Sequence, residues 1–274
     1  APACHPSRTA NLTGVAPYRS GVYNNAHDWR INPRLQDVPT LPEYFRQHGY
    51  TAVGGGKIFH SLEWFDGPED GFNDPKCWDA YFPSLKRQMP HRIVPSGEAP
   101  LARGENNDPP RPMQYFDWGV MDKPIESMPD HQVIDWAIGE LQRNHERPWF
   151  QAVGIFRPHI PWYVPQQFFD LYPIDEIELP YVKSGWLNKL PPASHESGSV
   201  RRRWHEWVVN NDQWRAAVQG YLASISFCDY ELGRLLDAFD KSPDRDNTII
   251  VLWTDHGFHL GDKDTWEKFT LWAE

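Results

Sequence analysis

A chain of 274 residues, 40% hydrophobic and 23% charged, can bury a full core in one or two domains, which excludes a disordered polypeptide. Its formal charge of −10 argues against a broad nucleic-acid surface, so an anionic substrate has to meet a local cluster of cations inside an acidic envelope. No apolar run reaches the ~18–20 residues of a membrane span, and three cysteines at wide, irregular intervals make neither a disulfide framework nor a zinc motif.

The chain opens on an amphipathic stretch in which Pro6 suits the first turn of a helix, placing Cys4 at the helix N-terminus with Ser7 and Arg8 close behind. The helix dipole and Arg8 favour an anion there and lower a thiol pKa, so Cys4 reads either as a nucleophile or as a plain helix start. Thr40, Pro42 and Gly49 supply the cap, early proline and stop of a second helix. Three segments read as buried strands, each running into a polar cluster: Tyr50–Val53 into Gly54–His60, Trp149–Phe156 into Arg157–Pro161, and Thr248–Trp253 into Thr254–Gly257. Pro129–Asn144 and Asp212–Asp240 repeat apolar residues at helical spacing, and Cys228 inside the second reads as a small buried hydrophobe. Two loop-rich insertions, 61–128 and 162–211, separate these elements and are expected to be functional. Most of the 14 tryptophans are expected to anchor core and loops. Strands alternating with helices predict a mostly parallel α/β sheet, with ligands beyond the carboxyl ends of the strands, where all three polar clusters fall.

The string Cys4-His-Pro-Ser-Arg-Thr-Ala-Asn-Leu-Thr-Gly14 resembles the sulfatase signature, Cys-x-Pro-Ser-Arg-x-x-x-Leu-Thr-Gly, at every specified position. Gly56-Lys57-Ile-Phe-His60 resembles the family's Gly-Lys-x-x-His segment. Arg157-Pro-His159-Ile-Pro161 resembles its Lys-Pro-His-x-Pro, with Arg157 in place of the commoner Lys. Thr254-Asp255-His256-Gly257, followed by Leu260-Gly261 and Trp266-Glu-Lys268, is similar to the family's metal and second-lysine segment. The likeness runs from Ala3 to Lys268. Leu41–Phe45, Gly49-Tyr50, Arg157–Trp162 and Ser224–Asp229 resemble the iduronate-2-sulfatase-like branch in particular.

This resemblance implies an α/β fold of the alkaline-phosphatase type: a mostly parallel central sheet flanked by helices, with residues 1–274 forming a partial catalytic domain. It implies that Cys4 is oxidised to formylglycine by a formylglycine-generating enzyme. Arg8, Lys57, His159 and Lys268 would surround a sulfate, Lys268 or His159 would protonate the leaving sugar oxygen, and His60 would accept a proton. Asp255, His256 and the converted Cys4 would hold one calcium ion, with magnesium as the alternative. The implied substrate is a sulfated sugar or uronic acid of a polysaccharide, glycosaminoglycans included, and the implied location is extracytoplasmic: periplasmic, secreted or lysosomal.

Two features depart from the family pattern. No Asp-Asp dipeptide occurs, although the family carries one upstream of the modified cysteine, and the family's closing strand and smaller C-terminal region do not follow Lys268. The fold is therefore expected to be incomplete at both ends. One carboxylate at Asp255 also falls short of the roughly six to eight oxygens that calcium takes, so weak calcium binding is expected. Two other readings stay open: a phosphoester or phosphonate hydrolase of the same superfamily, and a non-catalytic glycan-binding relative.

Overall fold

The computed structural model describes residues 2–60, 70–91, 93, 116–183, 189, 191 and 199–270, the stretch 199–203 by its backbone only. Helix α1 (Cys4–Thr13) starts after Ala3 and is closed by Gly14 in the left-handed region (φ 70°), whose N–H returns to the Ala10 carbonyl. A short turn of helix, α2 (Pro17–Ser20), follows. In α3 (Leu41–Gln47) Thr40 caps the helix as the sequence predicts, and the Glu43 carboxylate accepts the Thr40 N–H at 3.4 Å to complete a reciprocal cap. Beyond it the chain turns into strand β1 (Thr51–Gly56).

β1 is the middle strand of a parallel sheet of order β2-β1-β4, between β2 (Ala80–Phe82) and β4 (Trp149–Gly154). A second parallel pair joins β3 (Trp118–Met121) to β5 (Trp162–Pro165). Helix α4 (Pro129–Leu141) packs on β1 and β4 and runs against α7 (Trp214–Phe239), which also covers β3 and β5. Short α5 (Gln166–Phe169) and α6 (Ser199–Asn210) lie between β5 and α7 in sequence, and an antiparallel hairpin of β6 (His259–Leu260) and β7 (Trp266–Glu267) ends the described chain. No helix among the described residues is long and apolar enough to cross a membrane. The parallel α/β architecture is the one predicted.

Tryptophans do act as anchors. Trp118, Trp162, Trp204, Trp207 and Trp266 are buried together with Phe116 between β3, β5, α6 and α7, and Trp29 and Trp78 are buried beneath α1 and β1. Aromatic side chains remove large apolar areas from water, so such a cluster can hold together a part of the fold with few strands.

Three expectations need correction. Thr248–Trp253 is not a strand: among the described residues no neighbouring strand pairs with it, and Ile249, Val251 and Leu252 are 89%, 76% and 73% exposed. High β-propensity describes side chains that suit a pleated, half-buried surface, and it forms no ladder without one. The segments read as loop insertions carry sheet strands, β2 and β3 within 61–128 and β5 within 162–211, while 61–69, 92, 94–115, 184–188, 190 and 192–198 lie outside the described residues. Cys228 is half-buried rather than fully enclosed, and burial pushes its thiol up to about 12.

Candidate active site

The first turn of α1 is stitched to two distant segments. Ser7 Oγ donates to the Asp255 carbonyl at 2.6 Å, and Arg8 Nε donates to the Asp255 carboxylate at 2.8 Å. The same guanidinium gives Nη1 to the Lys57 and Ile58 carbonyls, at 2.6 and 2.9 Å. One planar, always-charged side chain thereby fixes the start of α1, the end of β1 and the 254–257 turn relative to one another. Cys4, the first residue of α1, is 1% exposed at the centre of this junction.

The end of β1 is shaped by two glycines. Lys57 N–H donates to the Gly154 carbonyl at 2.9 Å, and a Cβ on Gly154 would lie 2.1 Å from the Lys57 carbonyl oxygen. Gly56, at φ 77°, is in the left-handed region and turns the chain there. Lys57 then points inward, 2% exposed, with its ammonium 4.6 Å from the centre of the Phe156 ring. Burial, offset in part by Cys4, pushes Lys57 down to about 8. His60 is equally enclosed, and burial, offset in part by its proximity to Cys4, pushes it down to about 4.

Beyond β4, the loop that carries His159 is held from below. Asp130, buried in the first turn of α4, accepts the Phe156 N–H at 2.6 Å and the Arg157 N–H at 3.4 Å. Burial raises the Asp130 carboxyl, an effect that the Arg157 charge partly offsets. His159 donates Nδ1–H to the Ile160 carbonyl at 2.7 Å, which leaves Nε2 as its free ring atom. Burial, with Lys57 and Lys268 adding to it, holds His159 well below its ordinary range.

The last segment supplies three more groups. His256 donates Nδ1–H to the Gly257 carbonyl at 2.8 Å and presents Nε2 to Cys4 Sγ at 3.0 Å. Burial is the largest influence on Asp255 and works against its charge, but Arg8, His256 and Lys57 together bring the carboxyl below its usual range. Lys268 is 4% exposed, and the next residue, Phe269, donates its N–H to the Pro2 carbonyl at 2.8 Å, drawing this end of the chain onto the start of α1.

Of the seven other residues singled out in the sequence, Lys57, His60, His159, Asp255, His256 and Lys268 interact with Cys4, and Arg8 holds Asp255 beside it. Burial alone would raise its thiol, yet the charges of Lys57 and Lys268 and hydrogen bonds with His159 and His256 hold it well below the usual thiol range. An anion at that position is thus stabilised from several sides. Among the described residues, one ligand atom each from Cys4, Asp255 and His256 lies within 4.8 Å of the others, close enough for one cation to touch all three. One sulfur, one nitrogen and one carboxylate oxygen do not by themselves suit calcium, which takes oxygen ligands. Phe156 and Asp130 carry no motif or spacing signal in the sequence, because what marks them is a contact between α4 and a loop 26 residues away.

A sequence model described as Sulfatase matches residues 1–274. A sulfatase of Formosa agariphila is 39% identical over 287 residues, covering 99% of this chain and 53% of that protein. Human iduronate 2-sulfatase is 31% identical over 284 residues, covering 97% of this chain and 48% of that protein. Among solved structures, a phosphonate monoester hydrolase from Silicibacter pomeroyi superposes with a TM-score of 0.67 at 21% identity, over 98% of this chain and 56% of that one. The chain spans about half the length of the curated relatives it matches.

Proposed function

The chain belongs to the sulfatase family, whose model spans all of it, and from that premise we propose that it forms part of an enzyme that hydrolyses sulfate esters on a sulfated sugar or uronic acid of a polysaccharide. The observation that carries this reading is the electrostatic setting of Cys4. A buried position at a helix N-terminus, ringed by cations and imidazoles, favours an anionic oxygen as much as a thiolate. In this reading Cys4 Sγ stands in for a hydroxyl oxygen of hydrated formylglycine. That group, made from Cys4 by a formylglycine-generating enzyme, would supply the nucleophile for attack on sulfur. A divalent ion against Cys4, Asp255 and His256 would supply further charge neutralisation. Calcium, the ion the family likeness suggests, would need oxygen ligands beyond these three donors.

The chain's own residues divide the remaining work. Lys57 and Lys268 place fixed positive charge around the sulfate oxygens, where negative charge grows in the transition state. Arg8 spends its donors on Asp255 and on the Lys57 and Ile58 carbonyls, so its role here is to orient those groups. The neutral His60 is suited to accept a proton at the position that Cys4 Sγ marks. Protonation of the leaving alcohol falls to Lys268 rather than His159: the His159 ring is neutral near pH 7, and its one N–H is occupied by the Ile160 carbonyl.

The likeness to human iduronate 2-sulfatase supports a 2-O-sulfated uronic acid as the substrate, and an extracytoplasmic location goes with such a polymer. Turnover of an aryl sulfate against the matching aryl phosphate, on the full-length protein, is the test. Sulfate ester hydrolysis is expected to dominate and to vanish in Cys4→Ala. The active-site peptide should show a sulfhydryl and a hydrogen exchanged for one aldehyde oxygen. Dominant phosphate turnover would favour the phosphoester reading, and binding of sulfated oligosaccharide without turnover the glycan-binding one.

A further inference from the structure

Lys57 and His159 reach the site from different strands, Lys57 from the end of β1 and His159 from the loop after β4, and one aromatic ring touches both. The Phe156 ring lies 4.6 Å beneath the Lys57 ammonium. Its centroid is also 4.7 Å from that of the His159 imidazole, at 51° between planes. Phe156 is 5% exposed and packs with Met89 and Val133. Its backbone is held by the Asp130 carboxylate, which bonds the Phe156 and Arg157 amides and so reaches out of its own helix. A carboxylate that is 2% exposed is costly to keep charged. By accepting both amides, Asp130 fixes the place where the chain leaves β4.

We propose that Phe156 is a positioning residue: the face of its ring, locked in place through Asp130, directs the Lys57 ammonium toward the sulfate, while the same ring holds the neutral His159 imidazole in place beside it. The electron-rich face attracts the ammonium directly, and an aliphatic side chain of equal volume would fill the space without directing the charge. The inference rests on the reading that Lys57 faces the sulfate. It extends that reading by making the placement of its charge depend on a residue outside every motif.

Two replacements in the full-length, matured protein separate direction of charge from filling of space. Phe156→Leu keeps an apolar side chain and removes the ring. Replacement of Phe156 by 3,4,5-trifluorophenylalanine keeps the ring's shape and withdraws electron density from its face. Both are expected to lower kcat on an aryl sulfate by about 3–30-fold, the scale of a desolvated cation–π contact. KM should change less, and the thermal midpoint of the fluorinated protein should stay unchanged. Wild-type kcat in the fluorinated protein overturns the proposal, whatever Phe156→Leu does. Binding of inorganic sulfate, measured by calorimetry, gives a readout independent of turnover. If the wild type binds sulfate but hydrolyses neither ester, the reading of function falls, and a 3–30-fold weaker sulfate affinity in the fluorinated protein still upholds the positioning role. Unchanged affinity there, or no sulfate binding by the wild type, overturns it.

Discussion

Two lysines carry charge of different character at the site, and each can be tested by truncation. Lys57 and Lys268 both depress the Cys4 thiol from buried positions. Lys57→Ala and Lys268→Ala should each lower kcat by ~10²–10³-fold, the scale for losing one preorganised charge beside a developing anion. A loss below about threefold in steady-state kinetics would remove that residue from the site. Lys57 has a further signature in pH. Burial brings it down to about 8, so its ammonium is present below that value and lost as pH rises through it. The alkaline limb of the kcat profile should therefore fall near pH 8. In Lys57→Arg, where the guanidinium stays charged, that limb should move upward; an unmoved limb would assign it to another group. Every residue named in these tests was legible in the sequence because the motif fixes its type and spacing. Phe156 and Asp130 were not, since no local rule links the first turn of a helix to a backbone amide 26 positions later.

At the scale of elements, two strands cross the site at contact distance. Gly154 faces the Lys57 backbone so closely that a methyl group has no room, its Cβ falling 2.1 Å from the carbonyl oxygen. Gly154→Ala should cost roughly 1–3 kcal/mol, the usual range for overpacking. It should also lower kcat, because the displaced backbone carries the Lys57 side chain. Urea unfolding followed alongside turnover is the check, and a midpoint equal to that of the parent protein would refute the close approach. Helices are legible from pattern alone: α3, α4 and α7 lie where capping residues and apolar spacing put them. Strands are less legible. Thr51–Gly56 and Trp149–Gly154 pair with each other, whereas the equally apolar Thr248–Trp253 pairs with nothing described. Periodicity reports which side chains could be buried, and pairing depends on a partner strand that the segment itself does not encode.

For the 274-residue chain, a segment left unpaired among the described residues is a liability. Ile249 to Trp253 forms a run of exposed apolar residues, and a β-prone run of this kind is a template for association. The 274-residue chain should self-associate at micromolar concentration, and Val251→Lys should shift it toward monomer in light scattering. A monodisperse parent chain would show that the segment is covered in solution. The same chain should bind calcium only weakly in a calorimetric titration, because the donor cluster among its described residues includes one carboxylate. Tight one-to-one binding would mean that this set is complete for calcium after all. The net charge of −10 agrees with the local arrangement: the cations that matter are gathered around Cys4, inside an otherwise acidic protein.

The three-way bond made by Arg8 also sets a clock. Its partners lie 49 and 247 residues further along, and Phe269 closes onto Pro2 behind them. A ribosome adding about 5–20 residues per second takes on the order of tens of seconds to travel from Arg8 to Asp255. During that interval Cys4 has left the tunnel while the 254–257 turn that seals it does not yet exist. A thiol that is 1% exposed in the finished fold is open to another enzyme only before the fold closes. On the reading proposed above, conversion of Cys4 would therefore belong to the nascent chain, and slowing synthesis between Arg8 and Asp255 should raise the fraction of molecules converted.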